Sequence, residues 1–280
     1  MFPCLAIDRY FYFDWNVFVV FRDFTSPLAG PLLTSIRKGK KKGFFFPFSE
    51  AHIRDLFNKS NFIKNEYTQK NFNAIRRLSD GVCLAYEKES GAIQLHKIDV
   101  EDVFKSLHKE HDDQSYLPEE LFGKNFYDEL RYRYLNDPDK LIQELSYNGH
   151  FEAANVVKCL STKDEDYLSK NFIHAVKSLH NITKSEEPPR SYIIQNGFRF
   201  LDFTVLFNEK ITKKNAPLNV MNDSNHLYAA SDSKFFVTED EALIKKITFF
   251  KKCYPIQTTP IKIEQFCNFF CDCLPPIALP

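Results

Sequence analysis

Glycine is scarce in this chain, with 8 in 280 residues, and there are two methionines, one tryptophan and no excess of either charge sign. So little glycine, set against 29 Phe and 13 Tyr, argues against a disordered or low-complexity chain and for a packed core. Lys plus Arg equals Asp plus Glu at 37 each, so net charge gives no argument for a nucleic-acid or membrane partner. A polyanion would have to be met by a local patch. No uninterrupted run approaches the ~18 apolar residues of a spanning helix, and no membrane partner is expected. The apolar amino terminus is broken by Asp8, Arg9 and Asp14 and lacks a basic leader, which argues against a secretory signal. The seven cysteines are odd in number and irregularly spaced. No disulfide framework results, and a reducing, cytoplasmic compartment is expected. Cys267, Cys271 and Cys273 lack a fourth ligand at zinc-like spacing and read as buried helix thiols.

What is present is alternation of strand and helix signals at both ends of the chain. Arg9 to Phe13 is an aromatic run suited to a buried strand, and Asp14 falls where it would end. Asn16 is placed to cap a helix through Val17, Val20 and Phe21. Leu32 to Ile36 reads as helix, and Arg37 to Gly43 as a basic turn. Phe44 to Phe48 predicts a second buried strand, with Ser49 opening a helix. From about Phe62 to Ile182 the periodicity is mainly helical, with a hairpin signal at Val82–Tyr86 and Ile93–Leu95. Asp137-Pro138 and Thr162 to Glu165 are helix starts. After the Pro188-Pro189 linker come an apolar stretch, Phe198 to Phe207, and a helix opened by Asp223. A strand at Phe235–Thr238, a helix from Ala242, a short strand at Tyr254–Thr258 and a last helix from Ile261 complete the chain. The expected organisation is 1–61 and 191–280 as one α/β domain with a parallel sheet, interrupted by a large, mainly helical insertion at 62–190.

Three segments carry a family resemblance: Phe13-Asp14-Trp15-Asn16, Phe48-Ser49-Glu50-Ala51-His52, and Asp223 running through to Val237-Thr238-Glu239-Asp240. In that order, each acid after a strand or on a helix, they resemble the PIN-domain family of metal-dependent ribonucleases. The resemblance covers about half the chain. It implies a three-layer α/β/α fold with acids above the carboxyl edge of the sheet, where such sheets hold ligands.

By the same resemblance, Asp14, Glu50, Asp223 and Asp240 would form the catalytic and metal-binding cluster, with Asn16 and Thr238 supporting it. An all-oxygen set suits Mg²⁺ or Mn²⁺. The implied reaction is hydrolysis of a phosphodiester in RNA, single-stranded RNA being the expected substrate. Arg37, Lys38, Lys40, Lys41 and Lys42 would neutralise its phosphates at the mouth of the site. A toxin or antiviral role, a homodimer and an inhibitory or regulatory protein partner are admitted by family analogy alone. Each residue also has a plainer reading. Asp14 serves as a helix cap, Glu50 and Asp223 as first-turn acids, Asp240 as a loop carboxylate, and the basic run as a solvated turn. Glu239 and Asp232 are rival acids that read as solvated. His108 to Asp113 reads as surface, and His226 as packing or capping. The competing function is a non-catalytic interaction protein on a PIN-like scaffold, with the insertion as its binding surface. A third, action on DNA ends or flaps, stays open because such a site does not by itself select the 2′-hydroxyl.

Overall fold

A computed structural model describes residues 9–24, 26–57, 65–86, 92–114, 136–181, 187–208 and 217–271. In chain order the elements are β1 (Tyr12–Phe13), α1 (Trp15–Asp23), α2 (Ala29–Lys41), β2 (Phe48–Ser49), α3 (Glu50–Phe57), α4 (Glu66–Ser79), β3 (Val82–Tyr86), β4 (Ile93–Lys97) and α5 (Val100–Gln114). They continue with α6 (Pro138–Tyr147), α7 (Phe151–Ser161), α8 (Glu165–Asn181), α9 (Arg190–Leu201), α10 (Pro217–Ala230), β5 (Phe235–Val237), α11 (Glu241–Cys253), β6 (Thr259–Ile261) and α12 (Ile263–Cys271). The chain is mixed α/β and divides into two units. The first comprises 1–113, 229–244 and 256–280, and the second 114–228 and 245–255.

In the first unit β5 lies between β1 and β6 and is parallel to both, with Phe13 opposite Val237 and Val237 opposite Ile261. β2 pairs parallel with β3, and β3 antiparallel with β4. A parallel bridge between Tyr10 and Phe45 ties these two sheets together. There Phe11 N–H donates to the Phe45 carbonyl at 3.0 Å and Phe45 N–H to the Arg9 carbonyl at 2.9 Å. Followed through that bridge, the order is β4-β3-β2-β1-β5-β6. The chain leaves β1 in one direction and comes back on its other side at β5. In open α/β sheets such a reversal leaves a crevice outside the carboxyl ends of the two strands.

The aromatic run of the amino terminus is the centre of this sheet. Phe11 and Phe13 enter one apolar cluster with Phe46, Phe48, Val237 and residues of α1, α2, α4, α5 and α12. Phe266 of α12 presents its edge to both, at 5.4 Å from Phe11 and 5.1 Å from Phe13. Tyr10, Tyr12 and Phe236, which alternate with these along the strands, are buried as well. A strand buried on both faces reads as continuous apolar sequence rather than alternation, which is what residues 10–13 show. Helix α2 reaches close to this core through Gly39, where an added Cβ would lie 2.7 Å from the tip of Phe46 and 3.0 Å from Phe270.

The second unit is helical. Gly149, in the left-handed region at φ 78°, turns α6 into α7. Rings of Phe198, Phe200, Phe249 and Phe250 gather with Phe172 of α8. Lys246 and Asp202 form an ion pair inside this unit, with side chains 3% and 1% exposed.

Several expectations are corrected. Residues 65–113 belong with the sheet, because the β3–β4 hairpin extends the β2 edge, and 191–228 belong with the helical unit. The basic run is not a turn, since α2 continues to Lys41. Asp14, not Asn16, caps α1. Asp223 lies inside α10, which starts at Pro217, rather than opening it. The last strand is Thr259–Ile261, and the 254–258 stretch leads into it. Asp164 supplies the side-chain cap of α8, accepting from the amides of Asp166 and Tyr167 at 2.9 and 3.1 Å. Among the described residues no helix is long and apolar enough to cross a membrane.

Candidate functional site at the carboxyl edge of the sheet

Asp14 follows β1 directly. Its amide continues the ladder, donating to the Val237 carbonyl at 2.9 Å, and its extended backbone turns the side chain back over the first turn of α1. One carboxylate oxygen accepts from Trp15 N–H at 2.7 Å. The other accepts from the Asn16 amide at 2.6 Å and the Thr238 hydroxyl at 2.8 Å. Asp14 is 8% exposed. A carboxylate that deep is tolerated as an anion because these donors replace its water.

Thr238 follows β5 as Asp14 follows β1. Its buried hydroxyl donates to Asp14 and accepts from the Asn16 amide at 3.0 Å and from Asp240 N–H at 3.1 Å. That uses its single proton and both lone pairs. Asn16 closes the group by accepting Glu239 N–H at 3.2 Å. The structure therefore brings Asp14, Asn16, Thr238 and Asp240 to one place, at the ends of the two strands between which the chain reverses.

The acids here also perform local duties. Asp240 accepts Leu243 N–H at 3.0 Å and so caps α11, while Glu239 accepts Ile263 N–H at 2.7 Å and caps α12. Glu50 stands at the carboxyl end of β2 as the first residue of α3. Its side chain is 44% exposed, with the Arg54 guanidinium 3.9 Å away. Burial, reinforced by the Glu50 charge, pushes the Cys83 thiol on neighbouring β3 up to about 12. Asp223, half-buried on α10, falls in the second unit and so is not part of the group that the first unit assembles.

Among the described residues no three His, Cys, Asp or Glu side chains stand as a group able to hold a metal ion. The chemistry of the donors that do meet fits a hard cation. Asp14 and Asp240 offer carboxylate oxygens, and Asn16 adds a neutral one.

The basic run does not lie at this mouth. α2 carries the chain back to the amino edge of the sheet, where Gly43 to Phe45 lead into β2 beside Arg9 and Tyr10. Arg37, Lys38, Lys40, Lys41 and Lys42 therefore sit at the end opposite Asp14. Lys40 is further occupied by Asp80 at 2.7 Å and by the Arg77 carbonyl at 3.1 Å.

A buried polar chain beneath Asp14 was not anticipated from sequence. Ser49 N–H donates to Nδ1 of His52 at 2.9 Å, which makes that nitrogen the acceptor and assigns the ring proton to Nε2. Nε2 in turn donates to the Phe13 carbonyl at 2.6 Å. Tyr12 Oη and Ser49 Oγ lie 2.7 Å apart, and Ser49 Oγ is 3.2 Å from Nδ1. Burial holds the Tyr12 phenol well above its usual range. His52 thus anchors the peptide immediately before Asp14 to the helix that carries Glu50. The signal was present as Ser49-x-x-His52 across a helix start, a spacing at which the ring reaches back to the opening amide.

His108 packs its ring 5.9 Å from Phe104. His226 is buried on α10 with its Nε2 3.4 Å from the Asn222 amide. Cys267 is buried, and Cys273 and the side chain of Cys271 lie outside the described residues. Compared with protein-family models, with curated proteins and with solved structures, the chain gives no match.

Proposed function

We propose that the crevice around Asp14 and Asp240 is the centre of a metal-dependent endoribonuclease, similar in plan to PIN-domain enzymes and set on a three-layer α/β/α sheet. One observation carries the reading: the Thr238 hydroxyl is bonded to both the Asp14 carboxylate and the Asp240 amide. Two acids from distant parts of the chain are thereby joined where an α/β sheet binds ligands. Mg²⁺ or Mn²⁺, when bound, would supply Lewis acidity toward a phosphodiester and a water of lowered pKa. Asp14 and Asp240 would hold it, with Glu50 of the same unit as a further acid. Thr238 and Asn16 orient Asp14, and His52 holds the backbone on which Asp14 stands.

A second reading is favoured by a different observation. Asp14, Glu239 and Asp240 each cap a helix, and among the described residues no three-acid group stands preformed. On that reading the edge is structural and the chain is a non-catalytic interaction protein. Cleavage of a labelled single-stranded RNA, with Mn²⁺ or Mg²⁺ against EDTA, separates the two, and a DNA strand of the same sequence tests the role of the 2′-hydroxyl. Asp240→Asn is the decisive variant, because Asn caps a helix about as well as Asp and the change removes only the charge. The nuclease reading expects metal-dependent cleavage, reduced at least ~100-fold in Asp240→Asn, of the size lost when one key stabilising group is removed. Parent-like cleavage by the variant, or no cleavage by the parent, removes it.

A further inference from the structure

The amino edge of the sheet, opposite the proposed centre, carries a row of cations, each placed by its own contact with the sheet or its helices. Arg9 leads into β1, and its carbonyl accepts the Phe45 amide. Lys42 leads toward β2, with its ammonium 5.9 Å from the Phe270 ring centre. Lys234 leads into β5, donating its amide to the Tyr10 carbonyl, with its ammonium 4.9 Å from Phe269 and 5.9 Å from Phe44. On the other flank Arg77 closes α4 beside Lys40, and Lys97 pairs with Val82 at the start of β3. Lys41 completes the row at the end of α2. Arg9, Lys41, Lys42, Arg77, Lys97 and Lys234 are all exposed. Along the same edge Asp80 pairs with Lys40, and Asp99 and Glu101 with Arg76, so none of these three acids is paired with the cations of the row. Asp232, on the lead into β5, is half-buried.

We infer that this row is a binding track for single-stranded RNA, separate from the carboxyl-edge crevice. Leads into adjacent strands stand about 4.8 Å apart, so the charges form a line rather than a spot, which suits a linear polyanion. Half-buried Phe44 and Phe269 pack against the core beneath these cations, so the line of charge rather than base stacking would carry the binding. A lipid surface would call for apolar side chains projecting outward beside the cations. Here Phe44, Phe269 and Phe270 lie under ammonium groups. The choice of RNA rests on the nuclease reading; the existence of the track does not.

The test is fluorescence anisotropy of a labelled 15-nucleotide uridine RNA against the full chain in EDTA, where no cleavage occurs. It uses the parent, Lys41→Glu/Lys42→Glu/Lys234→Glu, and a control, Lys140→Glu/Lys163→Glu/Lys170→Glu, at exposed sites of the second unit. The track triple is expected to bind at least ~10-fold more weakly, with the log–log salt slope reduced by roughly 2, at about 0.7 per phosphate contact. The control is expected to stay within about twofold, the range for charges that meet no phosphate. A neutral Lys→Gln triple at the same three track positions should lose affinity in the same direction, which keeps the test valid if the reversed triple folds poorly. Equal losses in track and control variants, or no loss in the track variant, overturn the inference. So does retention on phosphatidylserine vesicles without RNA binding. A chain that binds through the track but never cleaves keeps this inference and sinks the nuclease reading; one that cleaves while ignoring the track does the reverse.

Discussion

Thr238 donates its hydroxyl to the Asp14 carboxylate at 2.8 Å across 224 positions of sequence. The bond is buried, and the same oxygen serves Asn16 and Asp240. Thr238→Val keeps the shape and removes all three interactions at once. It should cost roughly 2–4 kcal/mol, since groups left buried without partners lose about 1–3 kcal/mol each and partly relax. Thr238→Ser should stay within about 1 kcal/mol of the parent, the scale of a lost methyl. Urea melts of both variants measure the difference, and equal losses would show that packing rather than the hydroxyl matters there.

Asp14 and Asp240 should part company when each is made neutral. In Asp14→Asn an amide nitrogen must replace one oxygen. It then faces either the Asn16 amide and Thr238 hydroxyl or the Trp15 N–H, all of them donors toward Asp14. A loss of about 2–3 kcal/mol is expected, as for a buried bond to a charged acceptor. Asp240→Asn keeps an acceptor for Leu243 and should change stability by about 0.5 kcal/mol or less. Thermal melts at neutral pH check the ordering.

Gly39→Ala sets two effects against each other. Alanine favours a helix interior by about 1 kcal/mol. The new methyl, however, would press on Phe46 at 2.7 Å and Phe270 at 3.0 Å, both fully enclosed rings. Overpacking of a filled core costs about 1–3 kcal/mol, so net destabilisation is expected. A raised melting temperature would mean that the α2–α12 contact is looser than drawn.

Alkali should unfold the first unit through groups held protonated by burial. The Cys83 thiol is pushed up from 9.0 to about 12, and the Tyr12 phenol is raised in the same sense. Both are neutral with the proton on, so the folded chain keeps protons that the unfolded chain would release. Their contribution is complete below pH 9 and declines as pH climbs toward about 12, each group adding up to about 1.4 kcal/mol per pH unit. Denaturant midpoints from pH 8 to 11 should fall, and Cys83→Ala should fall less steeply than the parent. A flat profile would place Cys83 in contact with water.

The sequence carried the strands and the two acids at their ends better than it carried the partition of the chain. Residues 10–13 announce a strand buried on both faces, and Val-Thr-x-Asp marks the end of β5, because these are local patterns. Which helices belong with the sheet is decided by distant pairing. Val82 to Lys97 reads as a hairpin, but nothing local says that its first strand joins β2. The basic run is plain in sequence, and its edge of the sheet depends only on how far α2 continues before Gly43. Lysines and one glycine have modest helix costs, so the helix simply carries on. Asp223 resembled a helix-opening acid, yet the start of α10 at Pro217 is set by residues further upstream.

Strand β5 fills the open side of β1 only after more than 200 further residues have been made, and β6 must follow to cover β5. During synthesis the aromatic amino-terminal strand therefore waits with one flank unsatisfied, an invitation to wrong partners and a reason for slow, chaperone-attended maturation. The bonds that join Asp14 to Thr238, and through it to Asp240, likewise form only once residue 240 has been made.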